Sequence, residues 1–171
     1  MFILFNATFC LAEEAKDSGK KSTGGYLKAD TTEFGVNFTS GPLTASARPF
    51  IGYFVSDEIE VGGGFMVETG DVESKSYTTT ALTLLGRYNV PMEQNMAVFG
   101  ELGIEQVNVD KDVGSGDSSL FLIGVGGRVF PSKNFCLNFT CDYVIGNYEN
   151  NGKDYDTNAL RLGLGLSVFV F

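Results

Sequence analysis

Leu160-Arg161-Leu162-Gly163-Leu164-Gly165-Leu166-Ser167-Val168-Phe169-Val170-Phe171 ends the chain, and its alternation decides the fold. Successive side chains of an extended strand point to opposite faces. Leu160, Leu162, Leu164, Leu166, Val168 and Val170 therefore share one face, and Arg161, Gly163, Gly165 and Ser167 share the other. A soluble domain would turn the leucine face into a core. A membrane barrel turns it out to lipid and keeps the small and polar face inside.

Working back from this segment, the same period recurs between turn residues, and no convincing helical period appears. The predicted strands are Glu33–Ser40, Ala47–Val55, Ile59–Thr69, Tyr77–Val90, Met96–Val109, Ser119–Phe130, Phe135–Gly146 and Asn158–Phe171. Tilted strands of about 9–11 residues suffice to cross a bilayer. The connections Ser56–Glu58, Pro91–Asn95 and Pro131–Asn134 are short. Those at Gly70–Ser76, Asp110–Ser118 and Asn147–Thr157 are longer and rich in Gly, Asp and Asn. Short turns at one end and longer loops at the other are the asymmetry of an outer-membrane barrel. The fold class predicted is all-β: an eight-stranded antiparallel up-and-down transmembrane β-barrel, with both termini on the short-turn side.

One face is apolar along the whole chain, for example Phe34, Val36 and Phe38, then Ile51, Tyr53 and Val55, then Leu82, Leu84 and Tyr88. The opposite face holds glycine and charge. Arg48, Arg87, Arg128 and Arg161 lie on the second, fourth, sixth and eighth strands. Glu33, Glu60, Glu68, Glu101, Glu105 and Asp142 lie on the odd-numbered ones. In an antiparallel barrel every basic strand is then flanked by acidic ones. Counting from the turns places Arg87 near Glu60 and Glu101, and Asp142 near Arg161. Buried charges need such partners, so these ten residues are read as one lumen charge network. Eight strands leave an interior that side chains can fill, and no open diffusion pore is expected.

Composition agrees. Glycine is abundant, with 22 residues and no collagen period, as strands with a thin inner face require. The net charge of −9 argues against a nucleic-acid partner. No apolar run is long enough for a transmembrane helix. The chain has no His and no CxxC pair, so neither a metal site nor a cofactor is expected. Cys136 and Cys141 are five apart on one predicted strand, point to opposite faces and cannot pair. Met1–Ala12 is apolar and reads as the hydrophobic part of a signal peptide, with Cys10-Leu11-Ala12 as its cleavage site. It lacks a basic start, which implies a truncated beginning. Glu13–Thr31 is largely polar and reads as a flexible tail.

The segment Pro49-Phe50-Ile51-Gly52-Tyr53-Phe54-Val55-Ser56-Asp57-Glu58-Ile59-Glu60-Val61-Gly62 resembles the strand, turn and next strand of the outer-membrane β-barrel domain family, small porin-like proteins akin to OmpA/OmpX-type barrels. Val98–Gly103, Gly124–Phe130 and the Leu/Gly ending carry the same resemblance, which spans Thr32–Phe171. It implies residence in the outer membrane of a Gram-negative bacterium, a periplasmic tail at residues 13–31, and insertion by the barrel-assembly machinery. A last strand ending in aromatics resembles the signal which that machinery reads, here Phe169 and Phe171. Strict alternation puts both on the Arg161 face, and a bulge near Ser167 would turn them to lipid.

The function expected is a small, monomeric integral outer-membrane barrel with a plugged polar lumen and a structural or surface-interaction role through its loops. Its partners would be outer-membrane lipid and lipopolysaccharide. The acidic loop residues Asp71, Glu73, Asp110, Asp112, Asp117, Glu149, Asp154 and Asp156 read as solvating charge. The alternative is a soluble lipocalin-like ligand-binding barrel, which needs the apolar face inside. Enzyme activity is not expected: the chain has no His to serve as general base, and its paired carboxylates lie beside arginines.

Overall fold

The structure is a computed structural model, and it describes residues 26–40, 45–72, 75–111, 116–150 and 153–171. Eight strands follow in chain order: β1 (Thr32–Ser40), β2 (Ala45–Phe54), β3 (Ile59–Val72), β4 (Lys75–Glu93), β5 (Met96–Lys111), β6 (Gly116–Ser132), β7 (Phe135–Asn150) and β8 (Lys153–Val170). Each pairs antiparallel with its neighbours, and β8 closes on β1 through pairs running from Thr32↔Val170 to Ser40↔Leu162. Closure leaves the sheet without an outer edge, the one way a sheet can sit in hydrocarbon with its backbone satisfied.

The strands run further than the apolar alternation indicates. Most of the expected long loops is ladder: Asp71↔Ser76 and Val72↔Lys75 join β3 to β4, and Asn150↔Lys153 joins β7 to β8. In these stretches the sequence is rich in Thr, Ser, Asn and Asp, so no apolar period marks them, yet cross-strand backbone bonds carry the pairing on. At the other end the ladder shifts register beside Pro91 and Pro131. Proline has no N–H to donate, and a strand passing through one skips a pair there.

The leucine face is outside. Leu164 is 47% exposed, Val125 64% and Phe65 57%. The outward apolar band on β3 runs from Ile59 to Val67. That span rises about 30 Å as a strand, and a tilt of about 40° reduces it to about 23 Å, the height of a hydrocarbon band. At its short-turn edge Tyr53 and Tyr88 face outwards, and their hydroxyls donate to Asp30 Oδ1 (2.7 Å) and Glu58 Oε2 (3.1 Å). Apolar ring towards lipid and hydroxyl towards water is the arrangement of an interfacial girdle. The lipocalin-like alternative needs the reverse orientation and is not supported.

The structure fixes two points at the short-turn end. No bulge occurs in β8: its pairing with β1 and β7 is continuous through Ser167. Phe169 therefore points inwards, 1% exposed, while Phe171 lies past the strand end and is 55% exposed. Nor is all of the tail loose. The signal-peptide segment and residues 13–25 lie outside the described residues, but Tyr26–Thr31 is a strap across the short-turn mouth. Asp30 sits in the left-handed region (φ 61°) and turns the chain; its N–H donates to the Phe54 carbonyl (2.8 Å), and the Phe54 N–H donates to the Thr31 carbonyl (2.9 Å). Leu27 is 1% exposed and enters the barrel end.

Placing a charge on the outer face tests this orientation. Leu164→Arg and Val125→Arg should each cost about 2–4 kcal/mol near the midplane, read from refolding titrations into lipid vesicles. Thr140, on the inner face opposite Gly163, should accept Ser with little loss.

Candidate functional site: the charged lumen

The inner face carries apolar, ionic and polar side chains, placed along the barrel by strand register. At the short-turn mouth Leu27, Phe54, Ala97, Phe130, Cys136 and Phe169 form an apolar cluster. The Phe130 and Phe169 rings lie 5.5 Å apart, and Phe54 and Phe169 6.0 Å. These aromatics reach inwards because they occupy the inner phase of β2, β6 and β8. Further along, Met66, Ala81, Leu122 and Val144 are all buried on the inner face.

The deeper ionic layer centres on Arg128, 1% exposed. Its Nη2 lies 3.0 Å from Glu33 Oε2 and 2.7 Å from Glu60 Oε2. Both partners reach it across the lumen, from β1 and β3. Asn138 Nδ2 donates to Ser167 Oγ (2.8 Å) and to Glu33 Oε1 (3.3 Å), which fixes that carboxylate from the opposite side. Arg87 stands directly across the ladder from both Glu60 and Glu101. Its Nε donates to Glu101 Oε2 at 2.7 Å, and its Nη1 lies 3.7 Å from Glu60 Oε1. In the next layer Arg48 pairs with Glu105, and Arg161 reaches both Glu105 (3.2 Å) and Asp142 (3.4 Å). Thr83 Oγ1 donates to Glu105 at 2.9 Å. Nine of the ten sequence-predicted residues thus meet in two groups of ion pairs: Arg87 and Arg128 with Glu33, Glu60 and Glu101, and Arg48 and Arg161 with Glu105 and Asp142. Glu68 lies further up β3, opposite Thr79.

Aromatic faces supplement the carboxylates. The Arg87 guanidinium lies 4.6 Å from the Phe50 ring centre and 5.0 Å from that of Phe99. Arg128 lies 5.1 Å from Phe99 and 5.5 Å from Phe54. Nε and Nη1 of Arg128 have no hydrogen-bond acceptor, and ring faces at this range offset part of that deficit. The inner glycines make room for these groups. A Cβ at Gly126 would lie 2.2 Å from Phe99 Cζ, and one at Gly62 would lie 2.5 Å from Phe50 Cζ.

The inner aromatics are what sequence reasoning missed. A signal for them existed: from Phe50 to Val55 both faces of β2 are apolar except at Gly52, so one phase has to fill the interior. The space left among Arg48, Arg87, Arg161, Glu101 and Asp142 is a cavity of about 40 Å³, room for water-sized occupants only. Among the described residues no group of His, Cys, Asp and Glu is arranged to hold a metal ion.

A closed eight-stranded barrel, apolar outside and charged inside, defines a membrane-barrel class. The chain belongs to the outer membrane protein beta-barrel domain family, whose model matches residues 2–167. Solved structures share the fold. The N-terminal β-barrel domain of Pseudomonas aeruginosa OprF aligns with TM-score 0.62 at 16% identity, covering 83% of this chain and 98% of that one. OprG from Pseudomonas aeruginosa gives 0.60 at 11% identity, covering 86% and 98%. Neisserial surface protein A gives 0.56 at 13%, covering 81% and 94%. No curated protein matches the sequence.

Arg128 supplies the sharpest stability test. Arg128→Ala leaves Glu33 and Glu60 buried without their shared cation and should cost about 3–5 kcal/mol. Adding Glu33→Gln and Glu60→Gln to Arg128→Met should restore much of that. Urea titration of the vesicle-inserted protein, followed by heat-modifiable gel migration, measures both.

Proposed function

We propose that this protein is a small, monomeric integral barrel of the outer membrane of a Gram-negative bacterium, with a lumen closed to diffusion and no catalytic role. The observation that carries this reading is the charged lumen: four arginines and five carboxylates joined in ion pairs, with an apolar cluster at the short-turn mouth. Each carboxylate of that chain sits against a guanidinium, so none stands free as a general base or nucleophile. What remains for interaction is the end opposite the strap, where polar hairpins rise above the apolar band and present exposed Asp110, Asp117 and Asp156. Its partners on this reading are outer-membrane lipid and lipopolysaccharide, and the barrel-assembly machinery during insertion. Within the assembly signal, Phe171 is the aromatic on the outside, while Phe169 seals the mouth.

Planar-bilayer recording tests the closed lumen. The wild-type protein should show no reproducible large single-channel conductance. Phe169→Ala with Leu27→Ala opens one apolar layer and leaves the ion pairs, so it should raise leak only slightly. A steady, large conductance from the wild type would overturn the plug.

A further inference from the structure

Two inner glycines lie between paired acids. Glu33, Gly52 and Glu60 stand in one row across β1, β2 and β3, and Glu101, Gly124 and Asp142 in another across β5, β6 and β7. In each row the missing side chain lets the flanking carboxyl groups meet over the middle strand. A Cβ on Gly52 would lie 2.0 Å from Glu60 Oε1. One on Gly124 would lie 2.2 Å from Asp142 Oδ1 and 3.0 Å from Glu101 Cγ. The two carboxyl groups of each row come within hydrogen-bonding reach of each other.

The rows differ in what their oxygens face. Among the described residues three buried carboxyl oxygens accept no hydrogen bond: Glu33 Oε2, Glu60 Oε1 and Asp142 Oδ1. The first lies 3.0 Å from Arg128 Nη2 and the second 3.7 Å from Arg87 Nη1, so each faces a cation. Asp142 meets its cation with the other oxygen, Oδ2, 3.4 Å from Arg161 Nε. Its Oδ1 is turned to Gly124 and Glu101. An ionised oxygen buried against a second carboxylate would be both unsolvated and repelled. Charge balance points the same way, since the ion-paired residues hold four guanidinium groups and five carboxyl groups. The charged groups around Asp142 are Arg161 on β8, Glu101 and Glu105 on β5, Arg87 on β4 and Arg48 on β2. From β1, β3 and β6 it meets Asn37, Gly64 and Gly124, none of which titrates. Each of these cations has a carboxylate without Asp142: Arg48 and Arg161 share Glu105, and Arg87 has Glu60 and Glu101.

We propose that Asp142 is a proton-binding site: it is held as the neutral acid and donates from Oδ1 to the Glu101 carboxylate, so that one proton joins the two groups of ion pairs. The proton satisfies the orphan oxygen, removes the surplus charge and strands no arginine. Glu101 and Asp142 also line the cavity of about 40 Å³, which has room for the water that takes the proton up. Its loss sets two carboxylates against each other over Gly124 and parts the two groups. The joint is therefore a lock that alkali opens.

Infrared spectroscopy of the full chain in lipid vesicles tests the proton directly. In heavy water at neutral pH the wild type should show the carbonyl stretch of a protonated carboxylic acid. Isotopic labelling of the aspartate side-chain carboxyl should shift that band, and raising the pH should remove it. Asp142→Asn should abolish the band and keep the bond, because its amide donates to Glu101 as the acid did. Urea titration across pH is the second readout. A proton bound by the folded barrel and not by the unfolded chain supports folding less as pH rises. Relative to Asp142→Asn, the wild-type folding constant should fall about tenfold per pH unit, from about pH 5 until the proton is lost. At neutral pH Asp142→Asn should change that constant by less than about tenfold, whereas Glu105→Gln, which takes the shared carboxylate from Arg48 and Arg161, should lower it at least about a hundredfold. A spectrum without the band, or a band that the aspartate label leaves in place, would overturn the proposal. So would an Asp142→Asn barrel that is as damaged as Glu105→Gln or fails to insert, since Asp142 would then be needed as an anion. No readout depends on conductance, so the proton site and the closed lumen stand or fall separately.

Discussion

Everything in this structure follows from the backbone's need for hydrogen-bond partners where no water is available. A sheet in hydrocarbon satisfies that need only by closing on itself. Closure at eight strands then fixes a narrow interior. The interior has to be filled from alternate residues of the same strands that face lipid, and those residues cannot be chosen independently of strand geometry. The protein fills it with arginine, carboxylate and phenylalanine, and thins the wall with glycine where a large side chain leans across. Gly126 under Phe99 and Gly62 under Phe50 show the coupling: a bulky inner residue on one strand requires an absent side chain on the next.

Filling a lumen with charge carries a desolvation cost that ion pairing alone often fails to offset. Here the cost is met by multiplicity. Arg128 has two carboxylates and two ring faces, and Arg87 likewise. The apolar residues of the mouth act in the same direction. By keeping water away they strengthen each attraction, and they make the loss of any one partner more damaging. A hydrated lumen with the same residues would hold the same pairs far more loosely.

The outer face and the strand parity of the charges were legible in the sequence, because both are period-two signals and lipid enforces them at every outward position. Glu60, Arg87 and Glu101 could be brought together by counting from the turns, since direct cross-strand neighbours follow from register. Contacts across the lumen could not. Arg128 meets Glu33 and Glu60 from strands far apart around the wall, and no count along a hairpin predicts that. The strand extensions beyond the bilayer were illegible for a different reason: outside hydrocarbon both faces are wet, and the alternation disappears while the ladder goes on. The orientation of Phe169 was left between strict alternation, which turns it inwards, and a bulge, which would turn it to lipid. Its phase in the sequence was inward, and the mouth of the barrel, with Leu27 of the strap, is the apolar environment it occupies.

Pro49 sits where two of these constraints conflict. Its position on the outer face suits it to lipid, but its missing N–H removes a ladder bond from a wall that tolerates no unpaired edge. Pro91 and Pro131 meet the same difficulty at the short-turn rim, where water can replace the lost partner and a register shift absorbs the rest. At Pro49, in mid-wall, the β2–β3 ladder ends at Phe50↔Gly64, and among the described residues no β2–β3 pair follows. A proline at a rim is inexpensive and needs no further explanation. A proline in mid-wall ends a ladder where one at the rim only shifts it, because no water is at hand to replace the missing donor.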